Sequence, residues 1–198
     1  MRLNIPNLLT LFRILLTPVF ILSLFSEYKY GHPIALVIFI IASITDAYDG
    51  YHARKYNQET PEGKFLDPLA DKILVSAAFI SFSLLGIIDF WMVGLIIFRD
   101  FFVTGLRMAM EQKGFSMVTS TIAKAKTATQ MIIISFILIF LGVKGLSLSW
   151  AIPVLDIIAE YDIIYNITLF ATLFTVFTGL TYIYSNRNTL KGFIQDEQ

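Results

Sequence analysis

Cysteine is absent from the 198-residue chain. That excludes a disulfide framework, a thiol nucleophile and any cysteine-based zinc site. Histidine is almost as scarce: His32 and His52 lie far apart and match no metal-ligand spacing. Charge is sparse too, at 15% of residues, against about a quarter in a soluble domain. Neither sign is in excess, since 15 Lys+Arg balance 15 Asp+Glu, so no global field points to nucleic acid. No repeat, low-complexity tract or linker divides the chain. Residues 1–198 therefore read as one domain.

What fills the chain is apolar. Hydrophobic residues make up 56% of it and the mean hydropathy is +0.70. That leaves too little polar surface to cover a water-soluble globule, and it excludes intrinsic disorder. Apolar stretches separated by short polar breaks run over about 8–25, 34–54, 65–88, 90–110, 122–143 and 163–184. A bilayer span takes about 20 residues. The expectation is an all-α polytopic membrane protein with six transmembrane helices in one bundle. Segment 144–162 reads as a connection, and the residues after 184 as a polar tail. No small-residue cleavage site follows the first apolar run, so that run reads as a span rather than a secretory signal.

The short loops set the orientation. Arg2, Arg54, Lys55, Lys64, Arg107, Lys113, Lys124, Lys126, Arg187 and Lys191 fall on one side, and only Lys29 and Lys144 on the other. Under the positive-inside rule both termini face the cytoplasm. Tyr28, Tyr30, Trp91, Trp150 and Tyr161 are then expected as aromatic anchors at the outer interface.

Acidity inside the apolar stretches is the unusual feature. Asp46 and Asp49 are three apart near the end of the second stretch, and Asp67 and Asp71 four apart at the start of the third. Each pair lies on one helical face. The two stretches join on the cytoplasmic side, so four carboxylates can converge in the cytoplasmic half of the bundle. Four anions in a low dielectric cannot all stay ionised unaided, and intramembrane carboxylates usually mark a functional path. Hard divalent cations with oxygen ligands, Mg2+ or Mn2+, resolve the repulsion. Four aspartates suit two such ions about 3.5–4 Å apart. Gly50 and Gly63 lack a Cβ and Ala53 is small, so a ligand can approach the backbone there. Arg54 is a fixed cation suited to a phosphate or to pinning a carboxylate.

The run Asp46-x2-Asp49-Gly50-x2-Ala53-Arg54-x8-Gly63-x3-Asp67-x3-Asp71 matches all eight fixed positions of the CDP-alcohol phosphotransferase signature over 26 residues. The chain thus resembles that family. The resemblance implies a six-helix fold, a homodimer, and attack of an alcohol on the β-phosphorus of a CDP-linked lipid with release of CMP. It implies that Asp46, Asp49 and Asp67 are metal ligands. Asp71 is then the general base, with a possible metal contact, and Gly50, Ala53, Arg54 and Gly63 contact the cytidine and diphosphate.

Two further stretches bear on the acceptor. Residues 99–107, Arg-Asp-Phe-Phe-Val-Thr-Gly-Leu-Arg, resemble the R-E-F-x-V-T-G-L-R of the bacterial branch that uses glycerol 3-phosphate, with Asp100 in place of Glu. Residues 123–128, Ala-Lys-Ala-Lys-Thr-Ala, resemble its G-K-x-K-T-A, with Ala123 in place of Gly. The opening from Asn4 to Arg13 is also similar, making Asn7 and Thr10 candidates for nucleotide or diphosphate contact. Asp100, Thr104 and Arg107 share a helical face. Thr104, Arg107, Lys124 and Lys126 are the candidates for the acceptor phosphate, a role that suits cations.

The expected activity is therefore phosphatidyl transfer from CDP-diacylglycerol to sn-glycerol 3-phosphate, giving phosphatidylglycerophosphate and CMP, at the bacterial plasma membrane. Inositol phosphate, serine or phosphatidylglycerol are the alternative acceptors. A divalent-cation transporter is the alternative class, although its ion path would need access from both faces. The bland readings are snorkelling cations for Arg107, Lys124 and Lys126, a structural ion pair for Arg99, a snorkelling or structural Arg13, and helix capping for Asn7 and Thr10.

Overall fold

In the computed structural model, backbone is described for residues 5–56, 61–115 and 121–195, and side chains for 8–45, 69–70, 72–115 and 125–193. Every regular element among them is helical: α1 (Ile5–Leu24), α2 (Gly31–Tyr56), α3 (Pro61–Leu84), α4 (Phe90–Gln112), α5 (Thr121–Leu146), α6 (Ile152–Glu160), α7 (Ile163–Ser185) and α8 (Arg187–Gln195). A single 3-10 turn, Ser149–Ala151, precedes α6. Helices α1 to α5 and α7 are 20 to 26 residues long. At about 1.5 Å per residue each reaches at least ~30 Å, the thickness of a bilayer core.

The six long elements coincide with the six apolar stretches, but two short helices lie where only a connection and a tail were expected. Nine residues are too few to span, so α6 left no spanning signal. Helix α8 is legible only against its neighbour: Leu190 and Phe193 pack on Met110, Phe115 and Tyr182. The third stretch also stops earlier, at Leu84, because a glycine cap ends it. Gly86 has φ +70, its N–H donates to the Ser83 carbonyl, and the Ile87 N–H to that of Phe82. Helix α4 ends in the same way. Gly114 has φ +82, its N–H reaches Glu111 O, and the Phe115 N–H reaches Met110 O. Both are Schellman caps, in which a left-handed residue lets two late carbonyls find donors. The Met110–Phe115 contact is the apolar clasp that accompanies the second.

Among the described residues two helices, over Ala125–Leu146 and Ile163–Ser185, are apolar and long enough to cross a membrane. Shorter apolar runs occupy 8–24, 31–45 and 72–84. The outward faces carry Leu11, Leu15, Leu22, Val37, Ile41, Phe98, Ile132, Phe170 and Leu180 exposed. A monomer in water rarely exposes so much apolar surface, whereas lipid accepts it. The expected anchors Tyr28, Tyr30, Trp91, Trp150 and Tyr161 are all exposed. They fall at or beside the connections after α1, α3 and α5, which lie at one end of the bundle if successive long helices alternate in direction.

The interior is graded. Helix α1 packs on α2 and α3, and α5 packs on α2, α3 and α7, while α4 packs on α3 and α7. Near the aromatic end the core is Phe20, Leu24, Ala35, Phe39, Phe79, Phe82, Ile137 and Leu138. Toward the other end the buried residues turn polar: Thr10, Arg13 and Thr17 on α1, Asp100 on α4, Lys126 and Gln130 on α5, and Thr172, Thr175 and Thr178 on α7. Backbone carbonyls absorb several of the hydroxyls. Thr17 Oγ1 donates to Arg13 O at 3.1 Å, Thr172 Oγ1 to Thr168 O at 2.8 Å and Thr178 Oγ1 to Thr175 O at 2.8 Å.

The Gly114 cap is testable. Gly114→Val forces a branched side chain into the left-handed region, which costs about 1–2 kcal/mol. The expected result is a lower thermal midpoint in detergent. Gly94→Ala, with nothing within 4 Å of the added methyl, leaves the midpoint unchanged or slightly raised.

Candidate active site

Helices α2 and α3 run unbroken through the acidic signature. Position 49 lies seven residues before the end of α2 and position 67 six after the start of α3, each about 9–11 Å from the junction. Positions 46 and 71 each lie ten residues from it, about 15 Å away. The backbone thus gives the four aspartates matched depths measured from one shared connection. The side chains of Asp46, Asp49, Gly50, Ala53, Arg54, Gly63, Asp67 and Asp71 lie outside the described residues, as do those of Asn7 and Lys124.

Helix α1 brings polar groups to the same half of the bundle. Thr10, Arg13 and Thr17 stand at i, i+3 and i+7 and are all buried on the helix that packs against α2 and α3. Arg13 is 1% exposed, which overturns snorkelling as its role and leaves the interior one. A charged side chain inside a membrane bundle faces its interior and not the lipid, as Arg13 does.

The second polar centre joins α4 to α5. Asp100 is 2% exposed and Lys126 1%. The Lys126 ammonium donates to Asp100 Oδ1. Gln130 Nε2 donates to Asp100 Oδ2 at 3.2 Å, and Arg99 Nη1 to Oδ1 at 3.3 Å. One carboxylate therefore accepts from two cations and an amide. Gln130 lies one turn beyond Lys126, so both face α4 together. The stem of Arg99 crosses α7 at Gly179, where a Cβ would sit 2.9 Å from Arg99 Cγ. Arg99 Nε and Nη2, Gln130 Oε1 and Thr175 Oγ1 are buried with no hydrogen-bond partner among the described residues. Lys72, next in sequence after position 71, is within electrostatic range of Lys126. The centre thus adjoins the α3 arm of the signature.

These contacts re-sort the residues expected at the acceptor site. Lys126 is not an interfacial cation; it is inside the bundle, held by Asp100. Arg107 is on the outside, about half exposed, and its Nε donates to Glu111 Oε1 at 2.7 Å. Thr104 is half-buried on α4, between Asp100 and Arg107 in sequence. Among the described residues Arg107 and Lys126 share no partner. Arg99 forms the structural pair considered for it, with its sequence neighbour. Gln130 escaped the sequence reading, since an amide inside an apolar run carries no charge pattern. Its spacing of four from Lys126 was the available signal.

The family model for CDP-alcohol phosphatidyltransferases matches residues 3–177. The chain belongs to the CDP-alcohol phosphatidyltransferase family. Among its relatives, the CDP-diacylglycerol–glycerol-3-phosphate 3-phosphatidyltransferase of Bacillus subtilis is 38% identical, aligned over 95% of this chain and 97% of its own length. The protein of the same name from Rickettsia bellii is 38% identical over 90% of this chain and 93% of its own. A probable phosphatidylglycerophosphate synthase of Mycobacterium tuberculosis is 37% identical over 91% and 80%. The family match spans both polar centres, the α2–α3 signature and the α4–α5 cluster, within one aligned region.

The energetics separate the two lysine and arginine contacts. Lys126→Met leaves Asp100 in the interior with only Arg99 and Gln130, and breaking a buried pair costs up to about 3–5 kcal/mol. Arg107→Ala breaks an exposed pair worth under about 1 kcal/mol. Thermal unfolding of the two variants in detergent should show a large fall for the first and almost none for the second.

Proposed function

We propose that this family member is an integral membrane enzyme that transfers a phosphatidyl group from CDP-diacylglycerol to sn-glycerol 3-phosphate, giving phosphatidylglycerophosphate and CMP. The observation that carries the reading is the complete eight-position signature on two successive helices, its four aspartates at matched depths. The names of the relatives support the acceptor, as do the stretches 99–107 and 123–128. In this reading residues 1–198 form one domain of six spans in the bacterial plasma membrane, with both termini cytoplasmic, acting as a homodimer.

The donor set fits hard cations, since four carboxylates offer only oxygen ligands. Asp46, Asp49, Asp67 and Asp71 would hold two divalent ions, Mg2+ or Mn2+. Bound ions would neutralise the diphosphate and the departing CMP. The chain's own residues do the rest. Asn7, Thr10, Gly50, Ala53, Arg54 and Gly63 seat the cytidine diphosphate. Thr104, Arg107, Lys124 and Lys126 draw in the acceptor's phosphate and aim its hydroxyl at the β-phosphorus. Asp71 takes the hydroxyl proton as the new P–O bond forms. The bond to CMP then breaks, and its electron pair leaves on the CMP phosphate. The acyl chains stay in lipid throughout.

Purified protein supplied with CDP-diacylglycerol, Mg2+ or Mn2+ and labelled glycerol 3-phosphate should yield labelled phosphatidylglycerophosphate and stoichiometric CMP. Inositol phosphate, serine and phosphatidylglycerol in the same assay should not compete; turnover with one of them instead would reassign the acceptor. Asp67→Asn and chelation should each abolish CMP release from folded protein. Cation flux in proteoliposomes without CMP would sink the enzyme reading in favour of a transporter.

A further inference from the structure

We propose that Asp100 is a positioning residue for the acceptor: its carboxylate holds Lys126, the buried ammonium proposed to meet the acceptor's phosphate, at the working depth between α4 and α5. This inference rests on the proposed reaction.

Three observations carry it. Asp100 accepts from Lys126 and Gln130 of α5 and from Arg99 beside it, so one side chain ties the two helices and two cations together. Both members of the α4–α5 pair are almost fully buried. The centre is also not a closed, purely structural ion pair. A lysine ammonium has three donors, and Asp100 occupies one. Arg99 Nε and Nη2 and Gln130 Oε1 remain without partners among the described residues.

A carboxylate in this place does what an apolar contact would not. Two facing helices pack as well through hydrophobic residues, and a buried ion pair is a poor source of stability. Lysine on a flexible stem moves toward water when nothing inside holds it. Lys126 lies only five residues from the start of α5, about 8 Å along the axis, so the aqueous end is within reach of its stem. Asp100 counters that pull. Gln130 fixes the second carboxylate oxygen, so Asp100 cannot swing with the lysine. Arg107, exposed and paired with Glu111, has no comparable tether.

The test is steady-state kinetics with each substrate varied in turn, on detergent-purified protein shown to be folded by thermal melting. Asp100→Asn should raise KM for glycerol 3-phosphate roughly tenfold or more, leaving KM for CDP-diacylglycerol within about twofold. Asp100→Glu keeps the charge on a longer arm and should restore most of the acceptor affinity. Gln130→Leu leaves the ion pair but frees the carboxylate, and should raise the acceptor KM alone, by about threefold. Gln130→Leu decides the matter if Asp100→Asn does not fold. An acceptor KM unchanged in the variants that fold, a parallel rise for both substrates, or failure of Asp100→Glu to restore what Asp100→Asn loses would overturn the inference. Wild-type protein that makes no phosphatidylglycerophosphate would instead overturn the reaction on which it rests.

Discussion

Charge taken out of water must find its compensation inside the protein, and this constraint organises the molecule. Toward the aromatic end no charged group is buried among the described residues, and Phe20, Phe39, Phe79 and Phe82 fill the space between the helices. In the other half the interior holds Arg13, Asp100, Lys126 and Gln130. Helices there must meet at fixed registers, because a carboxylate has to face its ammonium within hydrogen-bond reach. The cost of that half is justified by function rather than stability, since buried ion pairs seldom repay their desolvation.

The outside follows from the same balance. With the polar groups drawn inward, the perimeter is left to leucine, isoleucine, valine and phenylalanine. Such a surface suits lipid and would aggregate in water. A CDP-alcohol phosphatidyltransferase has to bring together a lipid that cannot leave the bilayer and a polar partner that cannot enter it. A bundle polar at one end of its interior and apolar around its girth allows both to meet.

Helix α3 carries the second half of the acidic signature and packs on both α4 and α5. Lys72 follows position 71 directly and is within electrostatic range of Lys126. Gly179 on α7 makes room for the Arg99 stem, so a helix without a signature residue still shapes the site.

The sequence by itself determined the helical class and the family. Long apolar stretches can only be buried or bathed in lipid, and eight fixed residues at fixed spacing are a local, one-dimensional fact. The six long helices were legible for that reason, within a few residues at their ends. The short helices were not, because α6 is too brief for a periodic signal and α8 exists through Leu190 and Phe193 resting on α4 and its cap. The roles of individual cations were beyond the sequence as well. Arg107 and Lys126 look alike in a list of basic residues near helix ends, yet one pairs with Glu111 in the open and the other with Asp100 in the interior. Only tertiary structure decides that, since a side chain's partner 26 residues away is fixed by how two helices cross.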